Sequence, residues 1–291
     1  MMDPAAIVAS INDRHGTHFR LGRPVAGGES RGTYSILDDE EVEYILKWGE
    51  GSEFRVRETV EIARRLRTVG YPAPDFIVSS SRDRLRYLVQ RMMPGTPGAA
   101  LTPALLERVA ELNRLQEDVA AEFAEGWPAR IVESVEKGFG DWCVHDSLAT
   151  HSRQTATWLA ELRRTVSIVA AGARYRTTDA VHFDFSTANI LVENGAVSGV
   201  IDWNGCCAGD RGFDLTTLAF YALEDSGVAA WLLDRALEVS GSPAVALYLS
   251  HMIVRQLDWS IRHHDQPTIA RYLNISLSAL RVIRELRDRP R

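Results

Sequence analysis

The stretch VHFDFSTANILVENGAVSGVIDW, residues 181–203, sets two aspartates, Asp184 and Asp202, and one amide, Asn189, around an Asn-Gly pair. Asn194-Gly195 is a strong hairpin signal, because both residues tolerate the positive φ that a two-residue turn between twisted strands demands. NILVE and VSGVI flank it, apolar and β-branched enough to be strands. A two-residue loop pairs Glu193 with Ala196. Counting back from there places Asn189 opposite Val200, with Asp202 one diagonal further along. Side chains alternate with period two, so Asn189 and Asp202 are expected on one face. Diagonal neighbours lie roughly 7–8 Å apart, close enough for two oxygen-bearing side chains to converge on one small cation. Asp184 lies upstream, on the loop that feeds the hairpin.

Taken singly, each of these three residues is an ordinary turn former. Their joint order is more specific. His-x-Asp, four residues, Asn, a hairpin, then an apolar residue and Asp is the sequence of the catalytic loop and metal-binding segment in the kinase template. Phosphoryl transfer asks for held phosphates, neutralised charge and an oriented nucleophile. Asp184 is then the candidate that orients an acceptor hydroxyl, and Asn189 and Asp202 are the candidates for Mg²⁺.

The rest of the chain supplies the other parts. Of 33 basic residues only Lys47 and Lys137 are lysines. Lys47 stands in EYILKW, 43–48, where Tyr44, Leu46 and Trp48 face one way and Ile45 and Lys47 the other. A lysine on an inner strand face needs a partner, and its compact charge suits the α/β-phosphates of a nucleotide. The helix FRVRETVEIARRLRTVG follows, its apolar side traced by Val56, Val60, Ala63 and Leu66. It offers Glu58 and Glu61 as partners for Lys47, with Glu58 preferred. Before the lysine, VAGGESRGTYSI, 25–36, reads as strand, glycine turn, strand. The backbone at Gly27, Gly28 and Ser30 is open to approach by phosphates.

DFIVSS and LRYLVQRM read as two further antiparallel strands. MPGTPG then marks a lobe boundary after residue 94. Thr102-Pro103 opens a helix in the N-cap, N1 pattern, and a second helix spans 150–173. After Asp202 the pattern is helical over about 212–223, 228–240, 244–262 and 267–287, with Gly241 to Pro243 marking a stop and a start. The expectation is an α+β chain of two lobes: a small antiparallel sheet in residues 1–94 and a mostly helical part, 95–291, that carries the hairpin.

These motifs resemble the aminoglycoside phosphotransferase family, small-molecule kinases with a protein-kinase-like fold, over nearly the whole chain. GGESRGTYSI resembles that family's nucleotide loop, YILKW its lysine strand, RETVEIARRLRTVGYPAP its glutamate helix and YLVQRMMPGTP its hinge. HFDFSTAN and IDWNGCCAGDRGFDLTTLAFY resemble its catalytic loop and metal segment. The resemblance implies ATP or GTP as donor, with the purine bound by the Arg91 carbonyl and the Met93 amide, and it makes Asp214 a brace rather than a catalyst. Two departures stand out. Phe183 replaces the glycine usual between the histidine and the aspartate. Trp203-Asn204 follows the metal aspartate where protein kinases carry Phe-Gly, so no protein substrate is expected.

Composition narrows the partners. Residues 1–94 carry 14 acidic and 14 basic side chains and the remainder 25 and 19, so the net charge of −6 belongs to the second part. That disfavours nucleic acid and is compatible with a cationic acceptor. Candidate acceptor contacts are Glu224, Asp225, Asp258, Trp259 and Asp265, with Asp258 and Asp265 two turns apart if one helix runs through both. The resemblance implies carboxylates on the last helix where the acceptor is an aminoglycoside, so the basic ending ELRDRPR argues against an ordinary one. The leading reading is an antibiotic kinase. A metabolic kinase for a sugar, amino alcohol or choline-like compound is the alternative, and a pseudokinase regulator the third. Three cysteines with no metal spacing, no signal-peptide pattern and no long apolar run lead to the expectation of a cytoplasmic protein away from membranes.

Overall fold

The computed structural model describes residues 3–25, 33–50, 55–81, 85–140 and 143–287. Its contacts divide the chain into two compact units: Met1–Ala99 with Ala188–Cys206, and Ala100–Thr187 with Cys207–Arg291.

The first unit is built on an antiparallel sheet. It contains helix α1 (Pro4–His15), strands β1 (Arg20–Pro24), β2 (Thr33–Leu37) and β3 (Glu43–Glu50), helix α2 (Val56–Thr68), and strands β4 (Phe76–Ser80) and β5 (Leu85–Arg91). The strand order is β1-β2-β3-β5-β4. α1 begins where the Asp3 side chain caps Ala5 and Pro4 takes the first turn, and it ends on left-handed Gly16. Its buried residues Ile7, Val8 and Ile11 pack with Ile36, Tyr44, Leu46, Tyr87 and Val89. Alternation in β3 therefore works as expected: Tyr44 and Leu46 join this core, and Lys47 points to the opposite side. The buried face of α2 is Val56, Thr59, Ile62, Ala63 and Leu66. Thr59 replaces the expected Val60 because its hydroxyl donates to the Trp203 carbonyl at 3.4 Å.

The hairpin belongs to this first unit, not to the helical part where the sequence placed it. Its strands are Ile190–Glu193 and Ala196–Val200, joined by Asn194 and Gly195 with φ of 51° and 79°. Thr96 and Val192 exchange backbone hydrogen bonds at 3.0 and 2.9 Å, and the Val200 amide donates to the Pro72 carbonyl at 2.9 Å. The Met93 side chain lies so close to Gly199 that a Cβ there would come within 2.8 Å of its methyl carbon. The connection after β5 is thus strapped along the hairpin.

The second unit is helical. It holds α3 (Pro103–Leu115), α4 (Ala129–Glu136), α5 (His145–His151), α6 (Arg153–Val169), α7 (Gly212–Tyr221), α8 (Ser226–His263) and α9 (Gln266–Arg287), with one short antiparallel pair, Asp179–Val181 against Cys207–Gly209. Thr102 caps α3 ahead of Pro103. Ser152 and Thr155 form a reciprocal cap on α6. α8 is bent at Gly241, with φ 75° and ψ 166°, where the sequence signals a break. α8 is long and apolar enough by length and composition to cross a membrane, but 67% of its most apolar window is buried inside the protein, as in a core helix. The short helices α4 and α5 and the Asp179–Val181 pair were not foreseen, being too brief for a periodic pattern to emerge.

Candidate active site

Lys47 sits on β3 between Thr33 of β2 and Leu88 of β5. Its ammonium lies 2.8 Å from Asp202 Oδ1, with side-chain exposures of 13% for the lysine and 34% for the aspartate. This corrects the expected partner. Neither Glu58 nor Glu61 forms an ion pair with Lys47 among the described residues. Glu61 is held on its own helix by Arg64 and Arg65, both at 2.7 Å. Those two guanidiniums hold its carboxyl down to about 2. Glu58 lies half-buried in the first turn of α2, where a carboxylate favours the helix N-terminus.

The register of the hairpin also differs from the expected one. Glu193 pairs with Ala196 and Val192 with Val197, but Leu191 pairs with Gly199 and Ile190 with Val200. The extra residue is Ser198, whose hydroxyl turns out to donate to the Pro94 carbonyl at 2.6 Å. A bulge of one residue shifts by one the pairing of every residue on the far side of it from the turn. Asn189 consequently lies opposite Ile201, whose amide it accepts at 2.9 Å, rather than opposite Val200. What aims the two candidate metal ligands is local geometry instead of pleat: Asn189 closes a 3-10 turn, and Asp202 takes a left-handed conformation with φ 66°. Trp203 is anchored beside it, its indole N–H donating to the Val200 carbonyl at 2.9 Å and its ring edge-on to Tyr71.

The described residues contain no group of three or more His, Cys, Asp or Glu that could hold a metal. Mg²⁺ takes one or two protein oxygens and draws the rest from phosphates and water. Asn189 and Asp202 fit such a donor set. Of the expected nucleotide contacts, Gly27, Gly28 and Ser30 lie outside the described residues. Arg91 ends β5, its amide donating to the Asp75 carbonyl at 3.1 Å; the Met92 amide reaches the Glu43 carbonyl at 3.3 Å, and Met93 follows beyond the ladder.

In the second unit the loop around Asp184 is braced from below. Asp214, fully buried in the first turn of α7, accepts the amides of His182 at 2.8 Å and Phe183 at 3.1 Å and the Gln116 side chain at 2.7 Å. Burial pushes its carboxyl up, against the pull of His182 and these donors. His182 is buried, and its Nδ1 accepts the Asp184 amide at 3.3 Å. Its place is structural. Asp184 itself stays 43% exposed, and Arg255 of α8 lies 2.7 Å from its Oδ1. The sequence reading missed Arg255. The signal was present: an arginine inside HMIVRQLDW, between apolar residues, needs an anion.

The expected acceptor carboxylates are mostly occupied. Glu224 is gripped by the Arg271 guanidinium at 2.5 and 2.8 Å, which holds its carboxyl low. Asp225 caps α8 by accepting the amides of Gly227 and Val228. Asp258 is fully buried, bound by Arg262 through two nitrogens at 2.7 and 2.8 Å and by the Ser147 hydroxyl at 2.7 Å. Asp265 accepts the Thr268 amide at the start of α9, and the Thr268 hydroxyl and amide together lower its carboxyl. α8 ends at His263, so Asp258 and Asp265 share no helix face. Trp259 is half-buried, with its ring 4.2 Å from that of His263. Sequence counts charges; it cannot show that arginines and helix-end amides have already engaged them.

A model of the phosphotransferase enzyme family matches residues 22–248. The chain belongs to that family. Within it, hygromycin-B 4-O-kinase from Escherichia coli is 29% identical over 86 residues, 28% of this chain. That aligned stretch spans only about a quarter (25%) of the enzyme it matches. The crystal structure of aminoglycoside phosphotransferase APH(4)-Ia is similar with a TM-score of 0.72 at 18% identity, over 96% of this chain and 99% of the other. Its ternary complex with ADP and hygromycin B gives 0.70 at 17%, over 95% and 98%. A GDP complex of an aminoglycoside 2'-phosphotransferase gives 0.61 at 16%, over 96% and 98%. At these identities the likeness shows the fold: the kinase-like fold of the aminoglycoside phosphotransferases, with an antiparallel-sheet N-terminal region and a helical C-terminal one.

Proposed function

We propose that this phosphotransferase moves the γ-phosphoryl group of ATP or GTP to a hydroxyl of a small antibiotic, with hygromycin B the first acceptor to try. The observation that carries the reading is the division of labour around one loop. Lys47 and Asp202 are paired in the first unit with Asn189 in the same hairpin segment, and Asp184 stands five residues before Asn189 in the chain. In the reaction the acceptor oxygen bonds to the γ-phosphorus, the bond from phosphorus to the β–γ bridging oxygen breaks, and a nucleoside diphosphate leaves. Asp184 orients the hydroxyl and accepts its proton. Lys47 binds phosphate oxygens. Asn189 and Asp202 would hold Mg²⁺, which neutralises phosphate charge. The Arg91 carbonyl and Met93 amide serve the purine, and the backbone at Gly27, Gly28 and Ser30 serves the phosphates.

Both nucleotides stay in the proposal because the similar structures include ADP and GDP complexes. A cationic acceptor is supported by the acidic balance of residues 95–291. The engagement of Glu224, Asp225, Asp258 and Asp265 by internal partners favours the second reading, a metabolic alcohol or amino alcohol of lower charge. Since nucleoside triphosphates are kept inside cells, the proposed setting is the cytoplasm, without nucleic acid, membrane or protein substrate.

The test is nucleotide consumption by purified protein with Mg²⁺ and ATP or GTP, against hygromycin B, other aminoglycosides and a panel of sugars and amino alcohols. Phosphorylated product is then confirmed by mass spectrometry. Asp184→Asn should lower kcat by roughly 10²–10⁴-fold. No acceptor-dependent consumption with any compound, or an Asp184→Asn variant as fast as wild type, would sink the reading.

A further inference from the structure

Arg255 lies in a stretch of α8 whose other members, Met252, Ile253, Val254, Gln256 and Leu257, are all buried. A guanidinium there is costly unless its charge and its N–H groups are met. Both of its terminal nitrogens are spent on one turn of the chain. Nη1 donates to the Phe183 carbonyl and Nη2 to Asp184 Oδ1, each at 2.7 Å. The Phe183 ring lies 5.6 Å from the same guanidinium and stacks on Phe213 at 5.1 Å. Phe183 holds φ at 74°, a conformation that a non-glycine residue adopts only when its surroundings enforce it. Asp214 takes the Phe183 amide on one side and Arg255 takes its carbonyl on the other.

We propose that Arg255 is a positioning residue for Asp184: its fork fixes the Phe183 peptide and one carboxylate oxygen, so that the exposed remainder of the carboxylate is presented to the acceptor hydroxyl. This deepens the kinase reading and rests on it. A planar fork is needed, because an ammonium is a point charge and matches two acceptors in one plane poorly. The geometry has an electrostatic side as well. Burial pulls the Arg255 guanidinium down, but the Asp184 carboxylate together with Tyr221 and Cys143 leaves it raised. The other ionisable groups around it are Arg130, whose guanidinium lies 4.7 Å from the Phe183 ring, His251, whose ring is 5.7 Å from it, and Cys143 and Tyr221, which act on Arg255 through their fields. His182 contacts Asp184 through its amide.

Arg255→Gln and Arg255→Lys separate the parts. With ATP and hygromycin B, Arg255→Gln should lower kcat by about 10–100-fold, the scale of a misplaced reacting group. Its ADP affinity should stay within about twofold, as no phosphate group is touched. The acid limb of its kcat/KM profile should move to higher pH, because the carboxylate has lost its counter-charge. Arg255→Lys should keep the acid limb near wild type and still lose kcat. A kcat for both variants within about threefold of wild type, too small for misplacement, overturns the proposal. So does an equal loss of ADP binding and kcat, which marks a merely structural role. If wild type leaves hygromycin B untouched, the acceptor reading fails by itself. The positioning claim is then decided by a crystal structure of either variant: a displaced Asp184 carboxylate upholds it, and an unmoved one overturns it. If Arg255→Gln does not fold, Arg255→Lys carries the same comparison.

Discussion

Replacing Phe183 by alanine and by glycine should reverse the usual order of those two residues. Phe183 is 5% exposed and left-handed, with φ 74°. Truncation to alanine removes a ring stacked on Phe213 and faced by Arg130 and Arg255, a loss of about 3–5 kcal/mol. It also keeps a Cβ in a conformation that costs a non-glycine residue roughly 1–2 kcal/mol. Glycine loses the same ring but sheds that strain, offset by about 0.5–1 kcal/mol of extra freedom in its unfolded chain. The glycine variant should therefore be the more stable of the two by about 0.5–1 kcal/mol, although glycine ordinarily loses this comparison. Urea denaturation followed by far-ultraviolet circular dichroism reads it directly, since the second unit supplies most of the helix. The backbone bonds from Asp214 and Arg255 survive in both variants, so the loop keeps its path. Phe183→Ala equal to or more stable than Phe183→Gly would refute the claim that position 183 holds a left-handed strain that glycine relieves.

Lys47 and Asp202 should be coupled in stability by about 1–2 kcal/mol, a charge-assisted bond discounted for the exposure of the aspartate; a double-mutant cycle with Lys47→Met and Asp202→Asn that shows additive losses would remove the pair. Asp258→Asn should destabilise by about 1–3 kcal/mol, because a buried bidentate partner of Arg262 is weakened, whereas Glu224→Gln at the surface should cost under about 1 kcal/mol and leave acceptor KM unchanged. His251 is kept neutral, well below the ordinary histidine range, by burial first and by Arg255 and Arg130 next. An unfolded histidine takes up a proton near pH 6.5 that the folded one refuses, so stability should fall as pH drops below about 6.5, by up to ~1.4 kcal/mol per unit for one group. His251→Gln should flatten that slope without abolishing it, since burial lowers His145 as well; an unchanged slope would exclude His251 as a source.

The sequence by itself determined the longer elements and the chemistry of the loop. Alternation in EYILKW put Lys47 opposite the Tyr44–Leu46 face, Asn194-Gly195 made the hairpin, and Thr102-Pro103 opened α3, because these signals are local: a side-chain period, a positive φ, a cap. The spacing from Asp184 to Asn189 to Asp202 pointed to the kinase template for the same reason. Partnership was decided only by the tertiary structure. Lys47 meets Asp202 rather than Glu58, since Glu61 is claimed by its own helix and the lysine's neighbour comes from the hairpin far along the chain. Ser198 bulges toward Pro94 and shifts the register, a choice made by a residue about a hundred positions away. The candidate acceptor carboxylates are spent on Arg271, Arg262 and helix caps, and Arg255 closes on Asp184 from a helix far along the chain. Charge and period are written in the order of residues, but which charge neutralises which depends on contacts between distant segments, and those exist only once the chain has folded.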